Sequence, residues 1–130
     1  MKALLPFHLN KVGAGFPSPA TDYVEDDMDL NAHLIKNIPS TFIIRVQGKS
    51  MTDVGIHDGD LLIVDKSLNP KNFSTVIANV NEELVVKTFV KEKNQSFLTS
   101  GSSEIKNKIN LTENPEAIIW GVVTYVIHAL

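Results

Sequence analysis

Ser50 and Lys87 are the side chains whose types and settings could do covalent chemistry in this chain. Ser50 lies in Gly48-Lys49-Ser50-Met51, followed by the polar turn Thr52 to Asp60 and the apolar run Leu61-Leu62-Ile63-Val64. A serine hydroxyl is a weak nucleophile until a base within hydrogen-bond reach takes its proton. Lys87 sits in Leu84-Val85-Val86-Lys87-Thr88-Phe89-Val90, which reads as a strand with apolar residues on both faces. A lysine buried in such a strand is costly to keep charged, and burial can bring its pKa down from roughly 10.4 toward neutrality. A neutral amine can deprotonate serine without histidine or aspartate, which is the Ser-Lys variant of the catalytic triad. Taken alone, the same residues also fit a turn serine and a lysine that snorkels to solvent from a strand end.

Other chemistry has less support. His57 follows Ser50 at short range with Asp58 and Asp60 beside it, but a turn histidine next to a hairpin is the plainer account of a Ser-His-Asp set there. Gly48-Lys49-Ser50-Met51-Thr52 departs from the G-x-S-x-G nucleophile elbow at its last position. His8, His33, His57 and His128 have no metal-ligand spacing with one another or with paired carboxylates, so no metal site and no cofactor are expected. No phosphate loop or dinucleotide fingerprint is present. Lys49 reads as a surface charge, and the Met51 side chain as core filling. The backbone N–H groups of Ser50 and Met51 are the candidate oxyanion hole.

Short strands must position these groups. Thr41 to Gln47 reads as a strand leading into the serine turn, Asp58-Gly59 as a hairpin-type dipeptide, and Asp60 to Lys66 as the next strand. Thr75 to Asn81 and Glu83 to Val90 form a hairpin turning near Asn81-Glu82, and Gln95 to Thr99 is a further strand. A polar loop, Ser100 to Glu116, precedes a final strand from Ala117 to Ala129. One helix is expected over Tyr23 to Lys36, where acids at Glu25, Asp26, Asp27 and Asp29 precede Leu30, Leu34 and Ile35 at helical spacing. Gly13 to Pro19 is punctuated by glycine and proline and reads as an exposed extended segment. The fold class is mostly β: a single compact domain of short, largely antiparallel strands with a flexible N-terminal arm.

Bulk properties agree. At 130 residues and 43% hydrophobic, the chain has room for one core. A net charge of −3 with a single arginine, Arg45, argues against direct, strong nucleic-acid binding. Cysteine is absent, so there is no disulfide framework, as suits a reducing cytoplasm. Pro6, His8, Asn10 and Lys11 interrupt what begins like a signal peptide. The apolar stretch Ala117 to Leu130 is shorter than the roughly 20 residues a spanning helix needs, so no membrane association is expected.

Gly48-Lys49-Ser50-Met51, Asp58-Gly59-Asp60-Leu61-Leu62-Ile63-Val64-Asp65 and Val86-Lys87 resemble the self-cleaving Ser-Lys peptidases of the LexA and UmuD family, S24. Gly15-Phe16-Pro17-Ser18-Pro19-Ala20 followed by Asp22-Tyr23-Val24-Glu25 resembles its UmuD-like branch, the accessory subunits of translesion DNA polymerases. The resemblance implies catalysis by Ser50 and Lys87 and self-cleavage at Ala14-Gly15, where small residues let an extended backbone approach the serine. It implies residues 1–14 as a cleavable arm, 15–40 as a linker holding the cleavage-site region and a short helix, and 41–130 as the peptidase-like β domain. The residues before Gly15 are too few for the DNA-binding domain of a LexA-type repressor, so cleavage would remove only an arm. Implied partners are a second copy in a homodimer, a recombinase filament on single-stranded DNA that stimulates cleavage in the SOS response, and a Y-family polymerase catalytic subunit. The implied location is the cytoplasm of a bacterium, with the protein encoded there or by a phage or plasmid. Phe73-Ser74-Thr75 replaces the Gly-Asp turn frequent in the family. Two alternatives stand beside this reading: a non-catalytic dimeric scaffold of the same fold, and a signal-peptidase-like enzyme acting on other proteins.

Overall fold

The structure is a computed structural model that describes residues 3–9, 11–15, 25–101 and 108–130. The chain divides into two units, Met1–Lys36 and Asn37–Leu130.

In the first unit β1 (Leu4–His8) pairs antiparallel with β2 (Glu25–Asp29), and α1 (Leu30–Leu34) follows as little more than one turn. The helix expected over Tyr23 to Lys36 is thus reduced to its second half; Tyr23 and Val24 lie outside the described residues. Charge gives the physical reason. A helix would stack Glu25 over Asp29 at i,i+4, a repulsive like-charge pair, whereas a strand sends successive acids to opposite faces. The partner is non-local: Leu5 lies across from Met28 and Phe7 across from Asp26. Asp29 then starts the helix as its N-cap, its side chain accepting a hydrogen bond from the Ala32 N–H at 3.2 Å.

The second unit is built on one antiparallel sheet. Its strands are β3 (Thr41–Arg45), β4 (Leu61–Asp65), β5 (Thr75–Val80), β6 (Glu83–Glu92), β7 (Gln95–Thr99), β8 (Ile109–Asn110) and β9 (Ile118–Ile127). They lie in the order β3-β4-β9-β5-β6-β7-β8, so β9 is inserted between β4 and β5. Two tight hairpins make the β5-β6-β7 meander. Asn81 and Glu82 take φ of 52° and 66°, and Lys93 and Asn94 take 41° and 67°, the left-handed pairs that match strand twist in two-residue turns.

The Asp58-Gly59 turn works differently from the expected hairpin. Strands β3 and β4 are neighbours, with Arg45 opposite Leu61, but residues 46–60 loop out between them. Asp58-Gly59 closes that loop at its base: the Gly59 N–H donates to the Val46 carbonyl and the Val46 N–H to the Asp60 carbonyl, both at 2.8 Å. Gly59 has a φ of 88°, which glycine adopts without steric cost.

Alternation along the strands splits the core between two faces of the sheet. On one, Leu62, Val64 and Ile77 pack with Met51 and Ile56 from the loop; on the other, Val76 and Ala78 pack with Phe89, Leu98 and Val122. Strand β9 carries one extra residue against each neighbour, Thr124 against β4 and Trp120 against β5.

Candidate active site

Residues 46–60 present Ser50 in an exposed turn whose flanks are anchored. Met51 and Ile56 are each 2% exposed, and burying such side chains contributes roughly 1.5–3 kcal/mol apiece. The Met51 carbonyl accepts from the amides of Val54 and Ile56, both at 3.2 Å, and the Thr52 hydroxyl donates to the Lys49 carbonyl at 2.8 Å. The apolar residues of Met51-Thr52-Asp53-Val54-Gly55-Ile56 therefore hold the turn down while Ser50 stays exposed. Among the described residues no backbone carbonyl accepts from the Ser50 or Met51 amide.

Lys87 lies in β6, half-buried, opposite Val76 of β5. Ser50 and Lys87 line one cleft of about 340 Å³ between the loop and β6, together with Ile44, Val46, Gly48, Ile77 and Val86. The Lys87 amine donates a hydrogen bond to the Ser100 hydroxyl at 2.8 Å. Register explains that contact: Thr88 pairs with Thr99, so the residue before Thr88 comes opposite the residue after Thr99.

Ser100 was not visible as a site residue in the sequence, where it opened a polar loop. A signal existed in the Lys93-Asn94 turn, from which counting back along both strands brings Ser100 to Lys87. Gly101 extends the link. It is buried with a φ of 75°, its N–H reaches the Met51 sulfur at 3.2 Å, and its α-carbon packs against the Asp53 carboxylate. Ser100-Gly101 thus bonds Lys87 through one residue and the serine loop through the next.

Asp65 ends β4 on the other side of the unit. Its carboxylate accepts from the Asn37 amide at 2.9 Å, from the Ser67 N–H and hydroxyl at 2.8 and 2.6 Å, and from the Ser40 hydroxyl at 2.8 Å. These donors, Asn37 foremost, hold its pKa well below the usual carboxylate range. Asn37 and Ser40, within the expected 15–40 linker, thereby belong to the second unit. Ala14 and Gly15 are exposed and outside regular structure in the first unit, and Phe16 to Ala20 lie outside the described residues. Phe73, in place of the family's turn, takes a φ of 69°.

The Peptidase S24-like family matches residues 6–124, and the chain belongs to it. That makes it a serine peptidase of the self-cleaving kind. Protein ImpA of Salmonella typhimurium is 41% identical over 125 residues, 95% of this chain and 83% of the relative. Protein SamA of the same species is 38% identical over 129 residues, covering 98% and 88%. The LexA repressor of Psychromonas ingrahamii is 40% identical over 97 residues, 74% of this chain but 46% of the repressor. Within the family the chain is a UmuD-like protein of the SOS mutagenesis type.

Proposed function

We propose that the chain cuts its own Ala14-Gly15 bond with Ser50 as nucleophile and Lys87 as general base, releasing residues 1–14. The observation that carries this reading is the shared cleft of Ser50 and Lys87, with the lysine amine held by Ser100 at 2.8 Å. Neutral Lys87 takes the Ser50 proton as the hydroxyl oxygen attacks the Ala14 carbonyl carbon. The Ser50 and Met51 N–H groups stabilise the oxyanion. Lys87 then protonates the departing Gly15 amine, leaving residues 1–14 as an ester on Ser50. Water, deprotonated by Lys87, hydrolyses that ester and restores both residues. The exposure of Ala14 and Gly15 supports the choice of bond.

The wider role follows the family. A recombinase filament on single-stranded DNA stimulates the cut, and the shortened protein serves a Y-family polymerase catalytic subunit in error-prone translesion synthesis. It acts as a homodimer. Support for the dimer is apolar exposure on β3 and β9: Ile43 and Tyr125, both in register with the buried Ile63, are 60% and 39% exposed. The proposed location is the cytoplasm; among the described residues no helix is long and apolar enough to cross a membrane.

The test is intact mass against time, in mildly alkaline buffer and with an ATP-bound recombinase–single-stranded DNA filament. Loss of residues 1–14 by wild type, and by neither Ser50→Ala nor Lys87→Ala, is the expected result. A wild-type mass that stays constant under both conditions would favour a non-catalytic dimeric scaffold.

A further inference from the structure

Folding assembles a second cluster that no sequence spacing announces. Strand β9 pairs with β4 so that Ile127 lies opposite Leu61. The residue after Ile127, His128, therefore meets the residue before Leu61, Asp60. His57, in the loop that β4 closes, reaches the same carboxylate from the other side. One Asp60 oxygen is 2.5 Å from Nδ1 of His128. The other accepts the His57 backbone N–H at 2.8 Å and lies 3.8 Å from Nδ1 of His57. The two imidazole rings are 4.9 Å apart between centroids.

We propose that His57, Asp60 and His128 form a binding site for a first-row divalent cation of the Zn²⁺ type. Three arguments carry it. The donor set is two imidazoles and one carboxylate, the nitrogen and oxygen ligands that zinc takes with a water in its fourth position. One ligand atom from each residue can be chosen so that all lie within 4.8 Å of one another. Bonds of about 2.0–2.2 Å to a tetrahedral zinc place ligand atoms roughly 3.3 Å apart, so the His128 Nδ1–Asp60 pair at 2.5 Å would open and the His57 Nδ1–Asp60 pair at 3.8 Å would close, shifts that ring rotation can supply. Finally, burial is divided as a site needs: Asp60's side chain is 2% exposed and fixed by the His57 N–H, whereas the rings are 47% and 44% exposed, open to an arriving ion and free to turn.

The bound ion would join the base of the 46–60 loop to the end of β9, because the Asp60 carbonyl also accepts from Val46. Binding to the folded state alone raises stability by mass action, so affinity and melting temperature should move together. The proposal is independent of whether the chain cleaves itself.

The experiment uses the full chain with Ser50→Ala, freed of metal by chelator and titrated with Zn²⁺ by calorimetry and thermal melting. Expected are one Zn²⁺ per chain and a melting temperature that rises with excess Zn²⁺. His57→Ala and His128→Ala should each weaken binding at least tenfold. A double variant of the remaining histidines, His8→Ala with His33→Ala, should bind as its parent does. His57→Ala keeps the Asp60–His128 contact, so its lost affinity reports the missing ring rather than the fold. The proposal is overturned by absence of binding up to millimolar Zn²⁺, by parental affinity in His57→Ala, or by loss of affinity in the His8/His33 variant alone.

Discussion

Gly101→Ala adds a single methyl group at the point where the lysine side of the cleft meets the serine side. Gly101 has a φ of 75°, and a side-chain-bearing residue in that region costs about 1–2 kcal/mol. Alanine also restricts the unfolded chain, which offsets about 0.4–1 kcal/mol. The new methyl carbon would overlap the exposed Asp53 carboxylate, which must shift and adds to that cost. The net destabilisation is about 1 kcal/mol, which lowers the melting temperature of a unit this size by about 4–8 °C. Melts belong in a Ser50→Ala background so that cleavage does not intrude. Adding Asp53→Ala removes the overlap but leaves the backbone strain, so the loss measured against Asp53→Ala alone should shrink without vanishing. In the active chain cleavage should slow as well, because the Gly101 N–H that holds the Met51 sulfur moves with the strained backbone. An unchanged melting temperature in Gly101→Ala, or complete recovery with Asp53→Ala, would refute the strain argument.

Two further outcomes test the rest of the unit. Ser100→Ala removes the acceptor of the Lys87 amine; a half-buried bond of this type is worth about 1–2 kcal/mol, so self-cleavage should slow about 5–30-fold. Ser100→Thr should restore it at similar fold stability, and wild-type cleavage by Ser100→Ala would remove this hydroxyl from the mechanism. Asp65 contributes stability through a lowered folded-state pKa, so its contribution is fully present above its ordinary value of 3.8 and is lost as pH falls through the lower folded value. Urea midpoints of wild type should therefore exceed those of Asp65→Asn at pH 7, with the gap narrowing below about pH 4; a gap independent of pH would contradict the linkage.

What the chain disclosed in advance was what local chemistry decides. The apolar run Leu61 to Val64 became a buried strand, and Asn81-Glu82 became the turn between β5 and β6. Ser50 and Lys87 stood out because a serine beside a glycine and a lysine in an apolar strand are unusual in their own neighbourhoods. What stayed hidden depends on partners distant in the chain. Repulsion among the acids disfavours a helix over Glu25 to Asp29, but the strand needs Leu4 to His8 beside it, and no neighbouring residue names that partner. Asp58-Gly59 looked like a hairpin turn, but its hydrogen bonds run back to Val46 and Gly48 across the serine loop. Ser100 against Lys87, and His128 against Asp60, follow from register, which needs the pairing of whole strands before any one contact can be read. The extra residues Trp120 and Thr124 add a second obstacle, since each breaks the two-residue alternation along β9.

The position of β9 has a consequence in time. It follows every other strand in the chain yet sits between β4 and β5. Ser50 is carried by the β3–β4 side of that seam and Lys87 by the β5–β8 side. Without β9, the β3–β4 ribbon and the β5–β8 meander share no strand ladder among the described residues and meet only through contacts such as Gly101 with Met51 and Ile77 with Leu62 and Val64. A ribosome-bound chain in which β9 has yet to emerge would lack the strand that pairs the Ser50 side of the sheet with the Lys87 side. The proposed cut at Ala14-Gly15 would thus gain its full frame only once β9 has paired on both of its sides.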